Sequence, residues 1–188
     1  MKKQNVVIVL ADGFEEIEAL TPMDVLRRLG CDVCLAGLSG EMVQGAHGLC
    51  VKADKRFEEV NFSSADAIVL PGGLPGAVNL RNHSGLRKEL QKAAAEGRIT
   101  AAICAAPIVL QDAGLLKYGF YTGYPGSEKL AESAGMHYTE SLTERTGSII
   151  TAKGPGAAFA FSREIALALG CSESEFSLLE KAMIMEKE

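Results

Sequence analysis

The chain lacks any run of basic residues, and its net charge is −5 over 188 residues. Nucleic acid and anionic membrane surfaces are therefore not expected partners, because binding to either draws on clustered Lys and Arg. No apolar stretch approaches the roughly 20 residues that span a bilayer. Only six apolar residues separate Asn5 from Asp12, too few for the core of a secretory signal, so the expected location is the cytoplasm. There is no G-x-G-x-x-G, and no glycine-rich loop runs into Lys-Ser or Lys-Thr, so nucleotide binding is not expected. The five cysteines (Cys31, Cys34, Cys50, Cys104 and Cys171) are odd in number and widely spaced, which argues against a disulfide framework. Cys31 and Cys34 have CxxC spacing, but no second CxxC completes a zinc site. They open an expected strand over residues 32–38, where alternation sends the two thiols to opposite faces. They read as small packed hydrophobes.

Hydrophobic residues make up 47% of the chain, enough for a sizeable core. Repeats, low-complexity segments and linkers are missing, which indicates one domain over residues 1–188. Short apolar runs alternate with helical patterns. Strands are expected at 6–10, 33–38, 65–70, 99–103, 120–122 and 148–151. Helices are expected at 16–29, 84–96, 105–112, 157–169 and 173–185, with Pro22 kinking the first, Gly30 ending it, and Ser84 and Gly97 bounding the second. Residues 42–51 read as a hairpin outside the main sheet. The order implies an α/β, doubly wound, mainly parallel sheet with helices on both faces. Sites in such folds lie beyond the C-terminal strand ends. Residues 12–18, 71–76, 104–106 and 154–156 all follow strands and are expected to gather at one sheet edge.

Cys104 is the centre of that edge. It closes the run from Arg98 to Ile103 and is followed by Ala105, Ala106 and Pro107, which read as the first turn of a helix. A thiol there faces unpaired N–H groups and the positive dipole end, both of which favour thiolate. Gly72 and Gly73 can bring bare N–H groups close to a ligand, or can simply make a tight turn; the residues leave both open. Glu15, Glu16 and Glu18 suit the start of a helix. Glu15 and Glu18 share a face, which points inward if Ile17 and Leu20 do not. A carboxyl beside a thiolate is pushed toward its protonated form and can then donate to sulfur or shuttle a proton. Gly154-Pro155-Gly156 reads as a turn shaping a pocket wall. His47, His83 and His137 are all remote in sequence from Cys104. His83 reads as solvated, and His47 reaches the site only through the fold or a second subunit.

Together these segments resemble the ThiJ/PfpI superfamily, in the branch of the parkinsonism-associated protein and its bacterial relatives. The carriers are Ala11-Asp12-Gly13-Phe14-Glu15-Glu16-Ile17-Glu18, Val69-Leu70-Pro71-Gly72-Gly73, Ala101-Ala102-Ile103-Cys104-Ala105-Ala106-Pro107 and Lys153-Gly154-Pro155-Gly156. The resemblance implies a flavodoxin-like fold and a homodimer with its site near the subunit interface. It makes Cys104 the nucleophilic, oxidation-prone cysteine on a strained elbow and Glu18 its hydrogen-bonding carboxyl. Gly73 and Ala105 become backbone donors. Glu15, Gly72, Tyr124, Gly154, Pro155 and His47 become pocket residues. No cofactor and no metal are implied. Two departures stand out. Gly123-Tyr124-Pro125 replaces a segment that in this branch often ends in His-Pro, and His47 stands where an arginine often reaches the partner's site. Tyr124 can donate a hydrogen bond, but its ordinary pKa near 10 makes it a poor base at neutral pH. The protease branch has a histidine directly after the cysteine; Ala105 is there instead, so proteolysis is disfavoured.

The expected activity is cysteine-dependent, cofactor-independent conversion of small reactive carbonyls, such as methylglyoxal to lactate, or deglycation of proteins. A different class of reading makes the chain a redox-sensing stress protein or chaperone in which Cys104 is oxidised. A role in thiazole biosynthesis ranks lower, as does a purely structural Cys104, which would leave the converging Glu and Gly-Gly segments as coincidence.

Overall fold

A computed structural model describes residues 3–126, 129 and 135–185. Its strands are β1 (Asn5–Leu10), β2 (Asp32–Gly37), β3 (Met42–Gln44), β4 (Cys50–Lys52), β5 (Lys55–Arg56), β6 (Ala67–Leu70), β7 (Ile99–Ile103), β8 (Gly119–Tyr121), β9 (Met136–Tyr138), β10 (Thr143–Thr146) and β11 (Ile149–Ala152). The helices are α1 (Glu16–Arg28), α2 (Gly76–Asn82), α3 (Ser84–Ala95), α4 (Pro107–Asp112), α5 (Ala158–Ala168) and α6 (Glu173–Ala182). Seven strands form the main sheet in the order β10-β11-β7-β6-β1-β2-β5. Every neighbouring pair is parallel except β10–β11.

The sheet is buried on both faces, so its central strands read as continuous apolar runs. Along β1, Val6, Ile8 and Leu10 join α1, α5 and α6 in one core layer, through Leu26, Phe161 and Phe176 among others. Val7 and Val9 point the other way and pack with Leu80 of α2, Leu86 and Leu90 of α3, and Leu110 of α4. The period of two in the strand thus separates two cores, the signature of a doubly wound sheet.

The expected elements are present with ends shifted by a few residues. Pro22 lies inside α1 and is buried. At the end of α1, Gly30 takes φ 86; its N–H donates to Arg27 O and that of Cys31 donates to Leu26 O, a paired closure that suits glycine. β3 and β4 form a separate antiparallel hairpin, as expected. The expected cap of α3 is corrected. Ser84 is the first helical residue, and His83 caps it by accepting Leu86 N–H on Nδ1 at 3.1 Å. His83 is also only partly exposed, its ring packing edge-on against Phe57 at 4.6 Å. β8 pairs with β9 in a small parallel sheet of its own rather than joining the main one. α2, β5 and β10 were not expected: α2 is seven residues long and the two strands are shorter, too short for a periodic pattern to register. Among the described residues, no helix is long and apolar enough to cross a membrane.

Candidate active site around Cys104

Cys104 sits between β7 and α4 at φ 63, in the left-handed region that a side chain disfavours. Both backbone groups hold it there. Its N–H donates to Ala152 O, just beyond β11's last pairing with β7, and its C=O accepts Tyr124 N–H, each at 2.9 Å. Ala106 N–H closes the turn onto Ile103 O at 3.0 Å. Left-handed backbone at a non-glycine residue costs on the order of 1–2 kcal/mol, and it persists because the surrounding bonds over-determine it. The residue is 8% exposed.

Glu18 comes up from the first turns of α1 and is completely buried. Ile17, beside it, is 53% exposed, so the inward face is the one that carries the carboxyl. Gly72 N–H donates to Glu18 Oε2 at 2.8 Å, while Oε1 has no hydrogen-bond partner among the described residues. Gly72 has to be glycine: a Cβ there would stand 2.7 Å from Glu18 Oε2, 2.8 Å from Cys104 Cβ and 2.9 Å from Ala105 N. Gly73 has φ 87, and a Cβ on it would meet Glu15 N at 2.4 Å. The 11–15 and 71–76 loops are therefore in backbone contact, with Glu15 N–H donating to Gly72 O at 3.0 Å. The Gly-Gly pair makes the tight loop and turns its N–H groups onto Glu18 and toward Cys104.

Burial pushes the Glu18 carboxyl up to about 7, and the Glu15 charge adds to this; the Cys104 thiol and Gly72 N–H pull the other way. The Cys104 thiol is pushed up to about 12, first by burial and then by the Glu18 charge and hydrogen bond. Ala105 N–H and Gly73 N–H oppose that rise. Both shifts run against the expected thiolate, and the two groups titrate as a coupled pair. α4 begins at Pro107 and spans six residues, so Ala105 lies in the turn before it. Two N–H groups are outweighed by desolvation and a neighbouring carboxylate.

His47 reaches the rim through the fold of its own chain. The β3–β4 turn carries it to the start of α1, where Nδ1 lies 2.9 Å from Glu16 Oε2 and 3.4 Å from Glu15 Oε2. Its backbone N–H donates to Glu16 Oε1 at 2.7 Å. The Glu16 hydrogen bond, then the Glu15 and Glu16 charges, raise the imidazole's pKa. The ligand atoms of Glu15, Glu16 and His47 lie within 4.8 Å of one another, close enough to share a cation. Hydrogen bonds within the group already engage Glu16 and the imidazole.

Tyr124 belongs to the site through its backbone bond to Cys104, and its side chain is half exposed. Gly154 lies next to it: a Cβ on Gly154 would sit 3.6 Å from Tyr124 Cδ2. Tyr124, Pro125, Leu142, Gly154 and Pro155 line a groove of about 180 Å³. Leu142 escaped the sequence reading because an isolated leucine in a polar stretch carries no pattern. So did Thr122 and Thr151: Thr122 N–H donates to Thr151 Oγ1 at 2.9 Å, which ties the segment before Tyr124 to β11.

The DJ-1/PfpI family model matches residues 4–168. Protein DJ-1 homolog A of Arabidopsis thaliana is 40% identical over 162 residues, which are 85% of this chain and 41% of that protein. The chain thus spans about two fifths of the length of that relative. The Parkinson disease protein 7 homolog of Danio rerio is 34% identical, over 88% of this chain and 89% of its own. A protein of Pyrococcus abyssi named a deglycase is 34% identical, over 85% of this chain and 96% of its own. The crystal structure of Drosophila melanogaster DJ-1beta superposes with a TM-score of 0.92 at 32% identity, covering 98% of this chain and all of that one. That of oxidised Toxoplasma gondii DJ-1 gives 0.88, also at 32% identity, over 98% of this chain and all of its own. With sheet order, elbow cysteine and glycine-tight carboxyl on one side and these matches on the other, the chain belongs to the DJ-1/PfpI family.

Proposed function

We propose that the chain is a cysteine-dependent, cofactor-independent enzyme of the glyoxalase or deglycase type, acting on small reactive carbonyls. The observation that carries this reading is the wholly buried Glu18 carboxyl beside the Cys104 thiol. A carboxyl raised to about 7 at a neutral thiol is a general base near its working pH. The archaeal relatives named deglycases support the substrate class.

In this mechanism, Cys104 Sγ bonds to the aldehyde carbon of methylglyoxal as its proton passes to the Glu18 carboxylate. The carbonyl oxygen, as it gains charge, takes hydrogen bonds from Gly73 N–H and Ala105 N–H. It is then protonated, giving a hemithioacetal. Glu18, again a carboxylate, removes the proton from the former aldehyde carbon, and a proton is returned at the neighbouring carbon. The product is a thioester of a 2-hydroxy acid, isomeric with the adduct. Water cleaves the sulfur–carbon bond, which frees lactate and restores the thiol. Neither oxidant nor reductant is consumed. The experiment follows methylglyoxal loss and lactate formation with the native chain and Cys104→Ser. Lactate from the native chain alone is expected; equal rates, or no lactate from either, overturn the reading.

A redox-sensing role is the second reading, favoured by the oxidised crystal form of the Toxoplasma relative. A thiol held near 12 carries little thiolate at neutral pH, and this weighs against a sensor. Peroxide titration followed by intact and peptide mass separates the two: a sensor requires Cys104 to oxidise before the exposed Cys50. We also propose a homodimer. α1 leaves Ile17 exposed, in a shallow groove with Leu20 and Met183. Sedimentation equilibrium should give twice the chain mass, and Ile17→Glu should halve it.

A further inference from the structure

We propose that His47 is a positioning residue for Glu18. Its imidazolium, docked on Glu15 and Glu16, offsets the negative charge beside Glu18 and so sets the pH at which that carboxyl becomes the base. The proposal rests on the carbonyl-enzyme reading and names how its proton acceptor is regulated.

The docking is built into the backbone. Gly13 N–H donates to Gln44 O at 2.7 Å and Ala46 N–H donates to Phe14 O at 2.8 Å, so the β3–β4 turn is bonded to the loop before α1 on both sides of Gly45. Glu16 closes the joint. Its Oε1 accepts His47 N–H at 2.7 Å, and its Oε2 lies 2.9 Å from the imidazole Nδ1. Gly45 leaves room for this carboxylate, since a Cβ there would stand 2.3 Å from Glu16 Oε1. These backbone bonds hold the turn in place whatever charge the ring carries. A carboxylate only accepts, so Nδ1 donates to Glu16 and the titrating proton sits on Nε2. The His47 side chain is 72% exposed, so that proton exchanges with solvent. The position of the ring is fixed while its charge is free to change.

Glu15 carries the effect inward. Its Oε2 lies 3.4 Å from His47 Nδ1, and its side chain is only 14% exposed. Glu15 N–H donates to Gly72 O at 3.0 Å, and the N–H of the same Gly72 donates to Glu18 Oε2 at 2.8 Å. Glu15 and Glu18 are three apart at the start of α1 and share a face. A like charge beside a buried carboxyl favours its protonated form, and a cation on that neighbour relieves the effect. The Glu15 charge acts on Glu18 in this direction, and the two rim carboxylates act on His47 in the opposite one.

The other charges near the turn are engaged elsewhere. Asp12 accepts Gln44 N–H at 2.9 Å and Ser39 Oγ–H at 3.3 Å. Glu41 and Lys52 pair with each other at the base of the hairpin, 4.0 Å apart. Residues 71–76 include no charged side chain. While His47 is a cation, Glu18 ionises early. Once His47 is neutral, Glu15 and Glu16 keep Glu18 protonated to higher pH.

The test reads Glu18 directly. Carbon-13 NMR of the glutamate-labelled chain follows its carboxyl from about pH 5 to 9, with the signal assigned by its loss in Glu18→Gln. His47→Gln, which cannot take up charge, should raise the Glu18 midpoint by about half a unit, a roughly threefold gain in proton affinity. His47→Lys, a permanent cation, should leave the midpoint at or below the native value. A role confined to holding the turn would move both variants together. The pH profile of kcat/KM for methylglyoxal should shift in the same order as the NMR midpoints. Midpoints in this order without lactate sink the carbonyl-enzyme reading and leave the tuning standing. Lactate formation with equal midpoints in all three chains, or with both variants shifted alike, overturns the tuning.

Discussion

The two ends of the sheet make opposite use of the same materials. At the N-terminal strand ends lies the larger groove, about 730 Å³, lined by Arg27, Cys31, Cys34, Asp54 and others. Its Arg27–Asp54 pair is satisfied: Arg27 Nη2 donates to Val33 O and to Asp54 Oδ2, each at 2.9 Å. Burial raises both of its thiols, and neither cysteine has left-handed backbone. At the C-terminal ends the space is smaller, but one cysteine is strained, a carboxyl is buried with no partner for Oε1 among the described residues, and glycines bring N–H groups onto both. Size therefore does not single out the candidate site. Cost alone does not either, since Thr100 Oγ1 near the start of β7 is also buried without a partner among the described residues and Ile184 has φ 56; what sets the C-terminal ends apart is strain and desolvation meeting at a thiol and a carboxyl.

Glu18→Gln should show the largest effect. Loss of the base should lower turnover by about 10²–10⁴-fold. The same change should stabilise the protein at pH 8. The carboxyl binds its proton more tightly in the folded chain (about 7) than in the unfolded (4.5), so its contribution is full below 4.5 and is lost as pH rises through 7. That loss is on the order of 3 kcal/mol. Melting curves should place the variant several degrees above the native chain at pH 8 and level with it near pH 4. A variant that is less stable at pH 8 breaks the claim that this end of the sheet holds an unrelieved charge.

Gly72→Ala comes next. Its Cβ has no room between Glu18 and Cys104, and shifting that pair should reduce kcat by about 10- to 100-fold. Gly97→Ala is the control: its Cβ would meet nothing within 4 Å, so only the φ of 70 is penalised. It should cost about 1 kcal/mol in denaturant unfolding and leave kcat unchanged. Equal kinetic losses would show that the close approach at Gly72 has no chemical role.

A pH profile gives a smaller effect. If the Glu18 carboxylate is the base, kcat/KM should rise roughly tenfold from pH 6 to pH 8 around a midpoint near 7. A flat profile removes Glu18 from the proton path. Smallest of all, Arg27→Ala breaks the half-exposed pair with Asp54 in the larger groove. It should cost about 1 kcal/mol or less, with no change in turnover. A marked loss of activity would tie the two ends together and undo the contrast.

Much of this site was legible in the chain. Cys104 announces itself as the cysteine that ends an apolar run before small residues and a proline. Gly72-Gly73 stands out after another such run, and Glu18 as the acid sharing a helical face opposite Ile17. What the sequence could not weigh is the charge state. Helix-start placement argues for thiolate, but desolvation depends on what covers the sulfur, and the cover comes from α1 and the loop after β6. Leu142, Thr122 and Thr151 were invisible for a related reason: each matters only through a neighbour about 11 to 29 residues away.

By itself the sequence determined the doubly wound sheet, since alternation of buried runs and amphipathic helices admits few other layerings. It also determined which strand ends carry the reactive residue types. Only the tertiary structure decided that Cys104 is held left-handed, that Glu18 loses all solvent, and that the two are buried side by side. Periodicity along a chain records which face is buried. Strain and desolvation arise between segments that meet only after folding.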